Sequence, residues 1–402
     1  MSRILTDWLD SFLTYTNNSE PSHLFRTWVG VSTVASVLKR KCVFNWGTVR
    51  LFPNMYIVLV GPPAARKGTA MGFGLDFMMR AEIKMAADSI TKEALVRNIK
   101  DAYSQDITED GKTFYHCSYS IVSPELSVFL GQVDTTMIRW LTDWFDCGKG
   151  PAGVWTYETK GQGTDQVSGI WINLLGATTP EQIGMLPAII ETGLASRMIM
   201  VYQAAKEKTC TFPFLTQEEL KIGEQLYFDL EKIHMLKGEF KFSKNWMERY
   251  EAWYNNNDAN PPFRDRRLAR YCDRRQVHLI KLCMIMSASR SDEMVLRLTD
   301  IERAIHLLEI TEMTMPEAFG AMGEDKDIKV LSYIMQEVGI NKRLTFEELT
   351  NRHYFDAVNP QKLEWMVRTL ENMKFLTRRQ VTTDAGTQVF LEYIEKDKRN
   401  VN

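Results

Sequence analysis

The stretch VLVGPPAARKGTA (58–70) constrains this chain more than any other. An apolar run, PNMYIVLVG, ends at Gly61 in a Gly-Pro-Pro turn, and Lys67 stands just before a Met-, Phe- and Leu-rich segment. The run reads as a buried parallel strand, and the segment as a helix from about Gly68-Thr69 onward. Phosphate binding needs this order: loop and helix N–H groups face the anion, and a lysine reaches its outer oxygens. Against G-x-x-x-x-G-K-[ST], Gly61 and Lys67 keep their spacing, Arg66 replaces the second glycine and Gly68 takes the hydroxyl position. Thr69, one residue later, is the available hydroxyl. The expected nucleotide contacts are therefore Gly61, Ala65, Arg66, Lys67, Gly68 and Thr69, with Thr69 as the magnesium ligand. The bland alternative is a strand-turn-helix with an exposed lysine.

Composition narrows the class. With 402 residues the chain holds two or three domains at roughly 100–200 residues each. Its 45% hydrophobic and 25% charged residues exclude a mainly disordered or collagen-like chain. A net charge of -2 excludes a strongly basic nucleic-acid coat but leaves room for local basic surfaces. The six cysteines are scattered without a C-x-x-C pair, so buried free thiols in a reducing compartment are expected, not zinc. The longest apolar stretch, Met55–Gly61, is far too short to span a bilayer, and MSRILTDWLDSF has no apolar signal core. A cytoplasmic location and no membrane contact are the expectation.

Residues 1–50 read as helical, HLFRTWVGVSTVASVLKR placing apolar residues three and four apart. Further strands are expected at YHCSYSIVS (115–123), GIWINLLGAT (169–178) and SRMIMVYQ from Ser196, with a helix over VFLGQVDTTMIRWLTDWF. Strands alternating with helices predict an α/β core over 51–205. Residues 206–320 carry helical periodicity, broken by a loop at YNNNDANPPF, and form a helical lid. After a linker at GAMGEDKD, residues 326–398 run helix, short helix, longer helix and two strands, the outline of a winged helix.

A phosphate loop needs partners at neighbouring strand ends. YSIVSPEL places Glu125 just after a strand, as the water-activating acid; Pro124 stands where an Asp would be usual. Helix-start chemistry explains a Pro-Glu pair equally simply. NLLGATTPE offers Asn173, Thr178 and Thr179 to orient water, and Thr178 is preferred over a mere cap. Arg197, at the start of the last strand, stands where an arginine donated across a subunit interface would project.

Taken together, GPPAARKGTA, IVSPELS, LLGATTPE and GLASRMIMVY resemble a family of phage and prophage replicative helicase-type P-loop ATPases, and the layout is similar to minichromosome-maintenance AAA+ helicases. The resemblance implies a P-loop NTPase (AAA+-like) core with N-terminal helices, helical lid and C-terminal winged helix. It also implies an ATP- and Mg2+-dependent homo-hexameric motor on single-stranded DNA or a DNA fork. Met198 departs from it, standing where an aromatic follows the arginine. An initiator or helicase-loader switch is the alternative, and a scaffold with a degenerate loop a third reading. The resemblance puts a channel hairpin at VWTYETKGQGTDQVSGI with Lys160 at its tip, and makes Arg275 or Arg270 in RDRRLARYCDRR the lid arginine for the γ-phosphate. A second hairpin, ITEDGKTFYH, carries Lys112 after an Asp-Gly turn. From Lys326 onward, thirteen basic and eleven acidic residues give +2 against -4 for the remainder, mild for duplex binding. Arg378 and Arg379 on the wing and Lys362 and Arg368 on the long helix are the DNA candidates there. Docking of replication proteins is the equal alternative.

Overall fold

The computed structural model describes residues 2–86, 90–107, 111, 113–131, 135–148, 152–159, 163–185, 188–263, 265–320, 334–335, 338, 341, 343–352, 360–383 and 386–394. Contacts divide the chain into two units, 1–320 and 321–402.

The larger unit is built on a five-stranded sheet of β3 (Tyr56–Val60), β4 (Tyr103–Ile107), β5 (Thr113–Ser123), β8 (Ile170–Thr178) and β9 (Met198–Tyr202), in spatial order β4-β5-β8-β3-β9. All pairs are parallel except β4 with β5. Every residue of β3 and β8 is buried, as both-face coverage of a parallel sheet requires. The order matters because β8, late in the chain, inserts between β3 and β5, while β9 adds on the far side of β3. The chain thus leaves β3 in both directions, and such a switch opens a crevice at the carboxyl ends of the strands.

The N-terminal region is α1 (Trp8–Tyr15) and α2 (His23–Leu38), then a hairpin of β1 (Cys42–Trp46) and β2 (Val49–Leu51) where helix was expected. The pair of β-favouring residues Val43 and Phe44 and the positive φ of Gly47 (60°) favour the turn over a continued helix. Fourteen of the sixteen residues of α2 are buried, because α1, the sheet and later helices enclose it on all sides. α3 (Lys67–Arg80) packs on α2 through Gly74, where a Cβ would come within 2.6 Å of Val29 Cγ1.

Between strands lie α4 (Lys92–Asp101), α5 (Leu126–Leu130) and α6 (Thr136–Phe145); the single helix expected over 128–145 is instead interrupted at Gly131, whose φ is 74°. β6 (Trp155–Thr159) and β7 (Gly163–Val167) form the expected hairpin, anchored where Trp155 packs edge-on to Trp140 and Trp144 of α6. Short helices α7 (Pro180–Gly184) and α8 (Ala188–Glu191) lead to β9.

The four long helices that follow are α9 (Gln217–Met235), α10 (Lys244–Ala259), α11 (Ala269–Arg290) and α12 (Leu298–Glu312). α10 continues through the asparagine-rich stretch expected to be a loop. Trp246, Tyr250 and Trp253 anchor it on one face, asparagine costs a helix only a few tenths of a kcal/mol, and Pro261 comes only after it ends. These helices are not a separate body. Trp28 Nε1 donates to Thr311 Oγ1 at 2.8 Å, Leu9 N to Ser289 Oγ at 2.9 Å, and Arg303 pairs with Asp7 and Asp10.

In the second unit, strand 343–345 and the hairpin 376–383/386–393 form an antiparallel sheet beside helices 346–352 and 360–372. Its core gathers Leu344, Leu363, Met366, Val367, Leu370 and Leu391. Among the described residues, all six cysteines are free thiols and no helix is long and apolar enough to cross a membrane.

Candidate functional site

The loop after β3 has the geometry of an anion cradle. Ala64 and Arg66 hold φ of 69° and 63° while Ala65 between them does not, an alternation that turns successive N–H groups to one side. Arg66 is the N-cap of α3 without a side-chain cap, so the first-turn N–H groups are not closed off. Gly61 is required by packing: a Cβ there would lie 2.4 Å from the Gln203 carbonyl. Gly61 N donates to Thr178 O at 3.3 Å and Gln203 N to Val60 O at 3.0 Å, tying the loop base to both neighbouring strands. Lys67 folds over the loop, Nζ donating to Gly61 O at 2.6 Å and Pro62 O at 2.9 Å. Burial lowers its pKa and Glu181 opposes the shift.

The ends of β5 and β8 supply the remaining groups of this edge. Glu125 is exposed just past β5, and its side chain caps no helix N–H. Its place is set by Leu126, which seats on Gly176 of β8, where a Cβ would meet the leucine at 3.2 Å. Thr178 is buried and its hydroxyl donates to Gln182 Oε1 at 3.0 Å; Thr179 caps α7 in a capping box with the same glutamine. Asn173 is not at a strand tip. It lies in the middle of β8, accepting from Met55 N at 2.9 Å and donating to Ser32 and Ser36, a buried brace between sheet and α2. Sequence reasoning passed over two acids here. Glu181, in the first turn of α7, acts on Lys67, and Glu20 pairs with Arg66 at 2.6 Å and with Lys206 at 2.6 Å. Glu181 was legible as the acid next after the β8 strand; Glu20, distant in sequence, was not.

Thr69 is exposed and lines a neighbouring cavity with Arg66 and Phe73, two residues and hence about 200° around the helix from Lys67. A magnesium ion travelling with a triphosphate needs only one or two protein carboxylates. The exposed carboxylates at this edge are Glu125, just past β5, and Glu181, in the first turn of α7.

Arg197 lies at the opposite edge, at the amino end of β9, on the order of 15 Å from its own loop at about 3.3 Å per residue. Its guanidinium pairs with Asp146 at 2.9 Å and donates to Gly193 O at 3.2 Å; Arg274 also reaches Asp146, at 3.3 Å. Behind them His278 donates Nε2–H to Ser196 O at 3.0 Å, and burial pushes its pKa down to about 3. Lys281, fully buried, donates to Asn54 O and Oδ1 at 3.1 and 2.7 Å, and burial lowers its pKa to about 8.

Arg275 departs from expectation. Nε and Nη2 pair with Glu312 at 2.6 Å each, Nη1 donates to Asn257 at 2.6 Å, and the side chain is 6% exposed. None of these partners belongs to the loop; the arginine braces α11 against α12 and α10. Its alternative, Arg270, is exposed and donates to Glu191 O at 3.3 Å.

Both expected hairpins leave the amino edge. β5 extends past β8 as a ribbon with β4, since its pairing with β8 begins only at Cys117. Gly169 N donates to Ala152 O, closing the base of the β6–β7 ribbon beside it. Lys112 and Lys160 lie outside the described residues. In the second unit, Arg378 is drawn to Glu371 and Glu364 at 3.0 and 2.7 Å, stapling its strand to helix 360–372, and Arg368 joins Glu364 at 3.0 Å. Arg379 is 71% exposed and meets Glu392 at 3.6 Å. No protein-family model and no curated protein matches this chain.

Proposed function

We propose that this chain is a nucleoside-triphosphate hydrolase of the P-loop type that works as a ring on single-stranded DNA or a DNA fork, with the second unit a winged helix. The observation that carries the reading is Lys67 lying across a loop of left-handed residues at the switch point of a parallel sheet, near the charge of Glu181 and at the same carboxyl edge as Glu125. In this reading the loop N–H groups and Lys67 hold the β- and γ-phosphates, and Glu125 polarises the attacking water. Thr178 keeps Gln182 in place behind the reacting group. Mg2+, held largely by the phosphates and water, would neutralise their charge. Arg197 points away from its own loop, so its contribution to transition-state charge requires a neighbouring copy.

DNA would meet the ribbons at the amino edge, and the sequence candidates for that contact are Lys112 and Lys160. The deciding experiment is hydrolysis by the full chain with and without single-stranded DNA, paired with strand displacement. DNA-stimulated turnover with unwinding supports the motor. Turnover without unwinding favours an initiator or loader switch, and no turnover removes the reading.

A further inference from the structure

A cavity of about 440 Å³ opens beside the loop, and Thr69 and Phe73, one turn apart on α3, form one wall. Tyr15 from α1 and Pro213 and Leu215 from the segment before α9 form the others. That volume lies in the range of small-ligand pockets, and the first turn of α3 joins it to the phosphate cradle. Resting on the reading that the loop holds phosphates, we propose that this cavity takes the nucleoside and does not read the base, so that the chain accepts purine and pyrimidine triphosphates alike.

The inference comes from counting hydrogen-bonding groups. Asn18, the one side-chain amide among the described residues lining the cavity, donates to the Phe212 and Phe214 carbonyls at 3.4 and 3.0 Å and accepts from the Cys210 thiol at 3.2 Å. Thr16 donates to Phe12 O at 2.8 Å and Ser19 to Thr16 O at 2.5 Å. Glu20 is held by Arg66, Lys206 and the Cys210 N–H, which also turns Arg66 toward the acid. Pro213 has no N–H to offer. Among the described residues this leaves the hydroxyls of Tyr15 and Thr69, which donate or accept with equal ease, and the Nη groups of Arg66, whose side chain is 44% exposed and stays open to water. A base presenting an amino group meets the two hydroxyls, and one presenting a carbonyl meets these or the solvent-exposed Arg66, so each finds a partner. Strong discrimination arises when the wrong ligand strands a buried polar group, and here no side chain would be stranded. What remains is apolar contact, which every base supplies.

The test is calorimetric titration of the full chain with ATP, GTP, CTP, UTP and inorganic triphosphate, repeated with Phe73→Leu and Lys67→Ala. The proposal expects four NTP affinities within about 100-fold of one another, the spread that an apolar pocket allows. All four should exceed that of inorganic triphosphate. Phe73→Leu, which keeps an apolar side chain on α3, should weaken every NTP by about 5- to 100-fold and leave triphosphate unchanged. One NTP preferred by more than 100-fold overturns the inference while the loop reading stands. NTPs binding no tighter than triphosphate show that the cavity holds no nucleoside. Binding that is absent, or indifferent to Lys67→Ala, removes the loop reading and the inference with it.

Discussion

At the carboxyl edge of the central sheet, the groups suited to chemistry are held lightly: Lys67 rests on two carbonyls of its own loop, and Glu125 caps nothing. At the amino edge the cations are pinned. Arg197 and Arg274 share Asp146, and Lys281 is fully buried against Asn54. Because four strands run parallel, each strand end presents its residues to one edge only, and no side chain on β9's amino end can cross to the loop. On the proposed reading the first edge binds the nucleotide by itself, and the second gains a role in turnover only by meeting a neighbouring copy.

The sharpest way to break this contrast is Arg197→Ala. A trans-acting arginine is worth about 10³–10⁵ in turnover, so hydrolysis should fall by that amount and partly recover on mixing with Glu125→Gln subunits. Asp146→Asn, which removes the arginine's partner but keeps its charge, should stay active. If Asp146→Asn fails equally, or mixing restores nothing, Arg197 is a brace of its own edge.

Glu125→Gln comes next, with an expected loss of about 10²–10⁴ in turnover and unimpaired nucleotide binding. Glu181→Gln, measured alongside, should lose far less; the reverse ranking would move the water-activating role to α7. Lys67→Ala should cost about 10²–10³ in turnover while leaving the urea midpoint unchanged, since its bonds stay within the loop. Near-native turnover would leave the carboxyl edge without an anion site.

The smallest expected effect concerns pH and sharpens the amino edge. His278 titrates near 3 when folded and near 6.5 when unfolded, so the unfolded chain binds the extra proton between those values. Stability contributed by the neutral imidazole is complete above about pH 6.5 and is lost as pH falls, at up to about 1.4 kcal/mol per pH unit. His234, lowered to about 4, adds in the same direction. Denaturant unfolding followed from pH 7.5 to 5 should show the decline, and His278→Gln should flatten it. A variant as acid-sensitive as the parent would place the proton uptake elsewhere.

Local pattern alone determined a good deal. The apolar runs ending at Gly61, Ser123 and Thr178 announced parallel strands, and the glycine–proline turn before Lys67 marked the loop, because strand burial and turn chemistry act over a few residues. The hairpin over 155–167 was legible for the same reason. Local pattern misled where neighbours decide. Aromatic anchoring carried α10 through its asparagines, Gly131 split the expected α5–α6 helix, and Asn173 turned out to brace α2. Arg275 had a polar look in an arginine-rich run, but its partner Glu312 lies 37 residues away and only packing of α11 on α12 brings them together. The pairing of Glu20 with Arg66, the reach of Glu181 to Lys67 and the exile of Arg197 to the far edge are likewise decided by strand order. Sequence spacing records which residues share a strand or a helix face. It holds no record of which edge each strand end will occupy, since that follows from the sheet's pairing order, a property of the whole chain.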